Sequence, residues 1–405
     1  MKRRNFIQNG IALTSLSLLP GWAFSQENEP QFLLQFYMDA GWDTTLMTEA
    51  WNFQTKPDPA KIFIEYSEND TLAFGGRFVG PTMAPLKKYF SRMTIFNGVI
   101  MSPVEVGHPS PAIFAASGAS DGSEPSFVCQ FMDLFYQNQS ASIISNTTVN
   151  MAGRAYKVST IEGLRSINGF GGSVSQQQKP GGSGQLIARS YRDLGDISKK
   201  LSEASENNQE SIDKITDDEV KLLVKGFLSG MYPAAFINMS RNLDTHGDHV
   251  NTHKTNLTEN FKDIGKYLNG LSAVPWKNSG KSLLDLTTVV ISSDFTRTPA
   301  LNVSGGKDHN PFSNSMIVMS PKMKSEIIVG QSRLMDAKFS PIGVSTLVAM
   351  PVDTTTYSPI LRNENTVMLT PSVVFASLLD VNGKITDRSP NVFKKAFKLQ
   401  NLYKS

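Results

Sequence analysis

The 405-residue chain holds one cysteine, Cys129, and five histidines. A single thiol excludes an intramolecular disulfide, so the fold must rest on its core, on bound metal, or on both. Long apolar runs are also missing. The most apolar stretch near the start, Ile11–Leu19, is too short and too interrupted to span a bilayer. Charge of either sign is not in excess. The chain has 39 Lys+Arg against 36 Asp+Glu, and three of the basic residues (Lys2, Arg3, Arg4) fall at the extreme N-terminus, leaving 36 against 36. That balance removes the electrostatic footprint of a nucleic-acid partner. No phosphate-binding P-loop, G-x-S-x-G nucleophile elbow or dinucleotide fingerprint is present. A hydrophobic fraction of 40 % still supplies a sizeable core.

What is present begins with the leader. "MKRRNFIQNGIALTSLSLLPGWAFSQ" has a basic start, a mildly apolar middle and small residues at Ala23 and Ser25. It reads as an export signal with cleavage expected after Ser25. The paired arginines before Asn5, Phe6 and Ile7 resemble a twin-arginine signal, which exports folded proteins to the periplasm or beyond. No cysteine follows the cleavage region, which argues against a lipid anchor. Residues 26–405 are expected to form a single domain, with a Gly/Ser/Gln-rich, linker-like stretch at 169–185 inside it.

Several segments carry clear element signals. The run Phe32–Met38 predicts a buried strand that ends at Asp39 and a glycine turn. "APLKKYFSRM" predicts an amphipathic helix leading into a strand over Met93–Met101, and "SASIISNTT" another strand. Leu257, Phe261, Ile264, Leu268 and Leu271 share one helical face. "LLDLTTVVISSD" predicts a strand ending at Asp294, and "SMIVMS" one more. Trp42 and Trp51 are expected to pack around the first strand, and the Glu203–Glu219 run to be a solvated helical face. Helices alternating with apolar strands imply an α/β fold with a mostly parallel sheet flanked by helices. In such sheets ligands gather at the carboxyl ends of the strands. Asp39 and Asp294 both sit there.

None of the five histidines lies in an apolar run. Divalent metals take carboxylate oxygens and imidazole nitrogens with one position left open for substrate. The chain offers Asp39, Asp244 with His246, Asp294, and Asp308 with His309. Any one of these alone is more readily a solvated loop pair; their joint placement at the ends of several predicted elements points to a divalent ion, whether zinc, manganese or calcium. His108 borders this set. His249 and His253 stand four apart with "VNT" between them, so the metalloprotease pattern is absent; His253 reads as an ordinary residue at an exposed helix start, and His249 is left open. Ser110 in "GHPSPAIF" is either a nucleophile at a strand-to-helix turn or an N-cap followed by Pro111. Arg297 either clamps an anionic oxygen or pairs with Asp294.

Taken together, "KRRNF", "FYMDAGWD", "APLKKYFSRMTIFNGV", "LDTHGDH", "SDFTRTP" and "GGKDHNP" resemble, in order, the motifs of a bacterial exported family known as domain of unknown function 1501. That family is similar to the alkaline phosphatase and sulfatase superfamily. The resemblance implies an alkaline-phosphatase-like α/β sandwich and places Asp39, Asp244, His246, Asp294 and His309, with Asp308 beside them, where metal ligands are expected. Four departures stand out, the first being an opening turn that reads "DAGWD" rather than a Gly-Gly-Asn-Asp type. "GHPSPAIF" replaces the family's "SRSHF", Asp294 replaces Glu, and Phe295 stands where some phosphatases have His. The implied function is metal-dependent hydrolysis of a small anionic phosphate or sulfate ester, with Ser110 or an activated water attacking and Arg297 steadying the anionic oxygens. The alternative is a non-catalytic exported binding or assembly factor acting on a partner protein, which the altered Ser110 region favours.

Overall fold

Phe32–Met38 forms the first strand, β1, and all seven of its residues are buried. A strand covered on both faces belongs in the middle of a sheet that has helices on each side. In the computed structural model, which describes residues 29–50, 58, 60–102, 107–136, 141–151, 158–162, 164, 199–239, 241–387 and 389–404, that is where β1 lies. The leader, Trp51 and the linker-like stretch at 169–185 lie outside the described residues.

The other strands of the central sheet, in chain order, are β2 (Met93–Asn97), β3 (Ile143–Ser145), β4 (Val158–Thr160), β5 (Ala234–Met239), β6 (Thr287–Ser293), β7 (Ser315–Met319) and β8 (Ile327–Val329). Their order across the eight-stranded sheet is β8-β2-β7-β6-β1-β5-β3-β4. β7 runs antiparallel to both neighbours and every other pairing is parallel. The fold is therefore mixed α/β with a mostly parallel central sheet, as the alternation of helices and strands implies.

Side-chain alternation along β1 separates two cores. Phe32, Leu34, Phe36 and Met38 face the first, where they meet α3 (Asp218–Ser229) and α4 (His249–Ala273). The predicted stripe Leu257, Phe261, Ile264, Leu268, Leu271 is the face α4 buries there. Phe261 is fully buried, and truncating it to Ala would cost about 3–5 kcal/mol. Leu33 and Tyr37 face the second core, with α1 (Pro109–Ser117), α2 (Phe127–Phe135) and α5 (Pro371–Asp380). Among the described residues no helix is long and apolar enough to cross a membrane.

Three local expectations change. Pro81–Arg92 folds as 3-10 turns rather than an α-helix, with Pro85 inside it; proline has no N–H for an α-helical bond and clashes with the preceding turn. The following strand stops at Asn97 because Gly98 turns the chain at φ 71°. The N-cap of α1 is His108 with Pro109 next, so Ser110 is already inside the helix and is not its cap.

Candidate functional site

Three loops follow the carboxyl ends of adjacent parallel strands: 39–43 after β1, 241–248 after β5 and 294–298 after β6. A fourth segment, 302–310, returns toward β7. Backbone bonds tie them together. Arg297 N–H donates to the Trp42 carbonyl (2.9 Å), Lys307 N–H to Thr245 (3.0 Å) and Thr298 N–H to Asp308 (2.8 Å). His309 and Arg297 sit opposite each other in a two-residue antiparallel ladder. Close approach is paid for in glycine: a Cβ on Gly41, at φ 80°, would stand 2.2 Å from the Phe295 ring, and one on Gly306 would stand 2.0 Å from the His246 carbonyl carbon. Ala40 is strained beside them at φ 77°.

These loops, with His108 at the N-terminus of α1, bring three imidazoles around one carboxylate oxygen. Asp244 Oδ1 lies 3.3 Å from His246 Nε2, 3.9 Å from His309 Nε2 and 4.0 Å from His108 Nε2. His108, Asp244 and His309 offer ligand atoms that all lie within 4.8 Å of one another. Two of the rings are oriented from behind. His108 Nδ1 is 2.5 Å from Asp294 Oδ2, and His246 Nδ1 is 2.9 Å from Asp308 Oδ1, which also accepts from Asn302. A carboxylate on one ring nitrogen fixes the tautomer and leaves the other nitrogen to accept or ligate. With Nδ1–H of His246 given to Asp308, its Nε2 presents a lone pair to His309 Nε2 at 2.8 Å. At that distance the two nitrogens share a proton, donated by His309 Nε2. The set of His108, Asp244 and His309 fits a divalent cation of the kind that binds imidazole, with His246 beside it against Asp244.

The charges agree with this placement. The hydrogen bond to Asp294 holds His108 above its ordinary pKa, against partial burial. Burial raises Asp294, with the His108 bond opposing. Burial pushes Asp244 up, but the Arg297 bond and charge and the nearby His246 and His108 overcome it, so it is held low. Asp308 behaves likewise: burial is outweighed by its bonds to His246 and Asn302.

Asp244, His246, Asp308 and His309 therefore lie together, and His108 joins them as a third imidazole. Asp294 is fully buried behind His108 rather than facing the cluster. Asp39 is exposed and is not in the group that could hold an ion, although its charge is felt by Asp294. Ser110 is not among the side chains that meet there among the described residues; its hydroxyl donates to the Ser120 carbonyl at 3.4 Å. Arg297 has no exposed surface, and its partner is Asp244, not Asp294. Its Nε donates to the Gly41 carbonyl, Nη1 to Lys307, and Nη2 to Ala40 and to Asp244 (2.8 Å). A guanidinium committed in this way braces three loops and has no fork left to clamp an oxyanion. Phe295, which occupies the position read as a missing His, packs against His108 (4.8 Å between centroids) and His309 (4.4 Å) as an apolar floor.

The sequence reading missed a second cluster directly below. Asp43, His249, His253 and Lys307 are all fully buried. His253 is thus not at an exposed helix start: it lies on the inner face of α4, one turn after His249, where the i, i+4 spacing stacks the two rings 4.3 Å apart. Lys307 Nζ is 2.5 Å and His249 Nε2 3.2 Å from Asp43 Oδ2, and Glu65 Oε1 is 3.5 Å from His249 Nε2. Burial raises Asp43, but the Lys307 charge and the His249 bond hold it well below the carboxylate range. Burial, with Asp43 adding to it, pushes Glu65 up to about 7. A separate cavity of about 350 Å³, lined in part by Arg92, Asp285 and Lys404, opens at the opposite end of β6, far from these histidines.

Residues 169–350 match the model of a family described as "Protein of unknown function (DUF1501)". That stretch carries Asp244, His246, Asp294, Asp308 and His309, while Asp39 and His108 lie before it. No curated protein matches the chain. Solved structures similar to it include the lipoteichoic acid synthase LtaP from Listeria monocytogenes (11 % identity, TM-score 0.40, 97 % of this chain and 81 % of that one). The zinc complex of the C-terminal periplasmic domain of EcEptC from Escherichia coli is another (11 %, 0.37, 94 % and 92 %). A 2-O GAG sulfatase is a third (10 %, 0.36, 92 % and 74 %). At such scores these likenesses assign no chemistry, which must come from the side chains that the loops bring together.

Proposed function

We propose that this chain is an exported hydrolase of small anionic phosphate or sulfate esters that works with one bound divalent ion, zinc being the best match to its ligands. The single observation that supports the reading is the meeting of three imidazole nitrogens around Asp244 Oδ1, two of the rings being steadied by the carboxylates Asp294 and Asp308. Nitrogen-rich sets with one carboxylate suit zinc better than calcium or magnesium, which prefer oxygen. The ion would supply Lewis-acid polarisation of the ester oxygen. His108, Asp244 and His309 would hold it, with His246 beside them against Asp244. Asp294 would keep a proton on His108 Nδ1 so that Nε2 stays directed inward, and Asp308 would do the same for His246. Phe295 would exclude water from one side, and Arg297 would hold Asp244 in place. We further propose that the twin-arginine leader delivers residues 26–405 as one folded domain to the periplasm or beyond.

A second reading is favoured by a specific observation. Ser110 bonds to Ser120, and the Arg297 guanidinium is committed to backbone carbonyls and to Asp244, so neither of the two expected organic catalysts is free to act on a substrate. A metal-holding but non-catalytic binding or assembly protein would look the same. Elemental analysis of protein purified from the periplasm, followed by phosphatase and sulfatase screening, separates the readings. Bound metal with ester turnover that disappears in Asp244→Ala and His309→Ala supports the hydrolase. Bound metal without turnover on any ester supports the binder. Protein that retains no ion and takes up none sinks both.

A further inference from the structure

The loops that carry the candidate ligands also send alternate residues inward. Thr245 lies between Asp244 and His246, and its Oγ1 is 2.8 Å from His249 Nδ1 and 2.9 Å from His253 Nδ1. Lys307 precedes Asp308 and His309, and its ammonium reaches Asp43 Oδ2 at 2.5 Å and the Phe63 carbonyl at 3.3 Å. Asp43 in turn accepts from Thr45 N–H (2.9 Å) and Thr45 Oγ1 (2.7 Å) and lies 3.2 Å from His249 Nε2. One continuous set of contacts, Lys307 to Asp43 to His249 to Thr245 to His253, therefore links the loops after β1 and β5 to the segment entering β7.

The proton inventory fixes this network in one arrangement. His249 donates from Nε2 to Asp43, so its Nδ1 accepts the Thr245 hydroxyl proton. That hydroxyl has only one proton, so His253 must donate its Nδ1–H to Thr245. His253 Nε2 is then a bare acceptor, and it is indeed buried with no hydrogen-bond partner among the described residues. An apolar side chain at 253 would avoid that orphan. Its presence needs a reason beyond packing.

We propose that this buried network is a positioning device for the metal centre, with Thr245 as its pivot: it sets the two ligand-bearing loops, and hence Asp244 and His309, at the spacing a cation requires. The inference rests on the metal reading above. The test titrates zinc into metal-free full-length protein by calorimetry, with melting temperature followed in parallel. Thr245→Val keeps the shape and removes the hydroxyl; it is expected to weaken zinc binding about 10- to 100-fold, while Thr245→Ser keeps wild-type affinity. His253→Phe removes the donor to Thr245 and should weaken zinc in the same sense, which decides the matter should Thr245→Val fail to fold. Lower melting temperatures with unchanged zinc affinity in both variants would overturn the positioning role alone. A wild-type protein that binds no zinc would overturn the metal reading and this role with it.

Discussion

Removing the Lys307 ammonium while keeping its bulk, as Lys307→Met, is the perturbation whose size follows most directly from the structure. Lys307 and Asp43 have no exposed side-chain surface and meet at 2.5 Å. Breaking a buried pair by deleting one partner typically costs about 3–5 kcal/mol, because the remaining charge stays desolvated. Thr45 and His249 still bond the carboxylate, which places the expected cost toward the lower end. For a chain of this length the unfolding entropy is roughly 0.8 kcal/mol per kelvin, so the melting temperature should fall by about 4–6 °C. Asp43→Asn in the same background removes the uncompensated charge and should recover most of that loss. The double-mutant cycle, read by calorimetry on metal-free protein, therefore shows a coupling of about 2 kcal/mol or more. A single Lys307→Met variant that melts with wild type, or a double variant that loses the sum of both single costs, would refute the account of a buried, mutually compensating pair.

Four further outcomes follow from the same geometry. Glu65 stands at about 7 in the folded protein against an ordinary 4.5, so the folded state holds the proton longer; its penalty grows as pH rises from 4.5 to 7 and is then constant at about 3 kcal/mol. Glu65→Gln should stabilise metal-free protein at pH 8 and leave it unchanged near pH 4, and a constant difference across that range would contradict the burial of this carboxyl. His249 and His253 are both depressed, first by burial, so the stability they contribute is present above about 6.5 and drains away as pH falls below it; acid melting curves of His253→Phe should be flatter than wild type over that window. His108 is raised through Asp294, so its contribution is present below about 6.5 and lost as pH climbs through its higher folded value; Asp294→Asn should abolish that alkaline loss, measured by thermal scans of metal-free protein. Gly306→Ala must push a Cβ against the His246 backbone, and equilibrium dialysis should find its zinc retention reduced.

The parts of the molecule legible in the sequence are those where one residue type serves one purpose. Phe32–Met38 and Thr287–Ser293 read as strands because both faces are covered, and the α4 stripe reads as a helix because its period matches the core it meets. Asp244, His246, Asp308 and His309 announce themselves as polar residues in short loops after or between apolar strands. What escaped the sequence is what depends on alternation within those loops. In "DTHGDH" and "GGKDHNP" neighbouring residues point opposite ways: Thr245 and Lys307 turn into the protein while Asp244, His246 and Asp308 stay accessible. No periodicity over three or four residues can reveal such a split. The same limit explains the role reversals. Asp294 ends a strand as predicted, but the chain turns so that its carboxylate lies behind His108; Arg297 follows it by three residues, yet reaches across to Asp244 because the β-ladder with His309 points its side chain under the 39–41 turn. His253 fails for a different reason. Its surroundings in sequence are polar, but helix α4 is rotated so that His249 and His253, one turn apart, face inward against Thr245 and Asp43, where hydrogen bonds satisfy them. Polar residues in a helix's first turns are thus an ambiguous signal: they mark solvent when nothing across the loop needs a donor, and a buried network when something does.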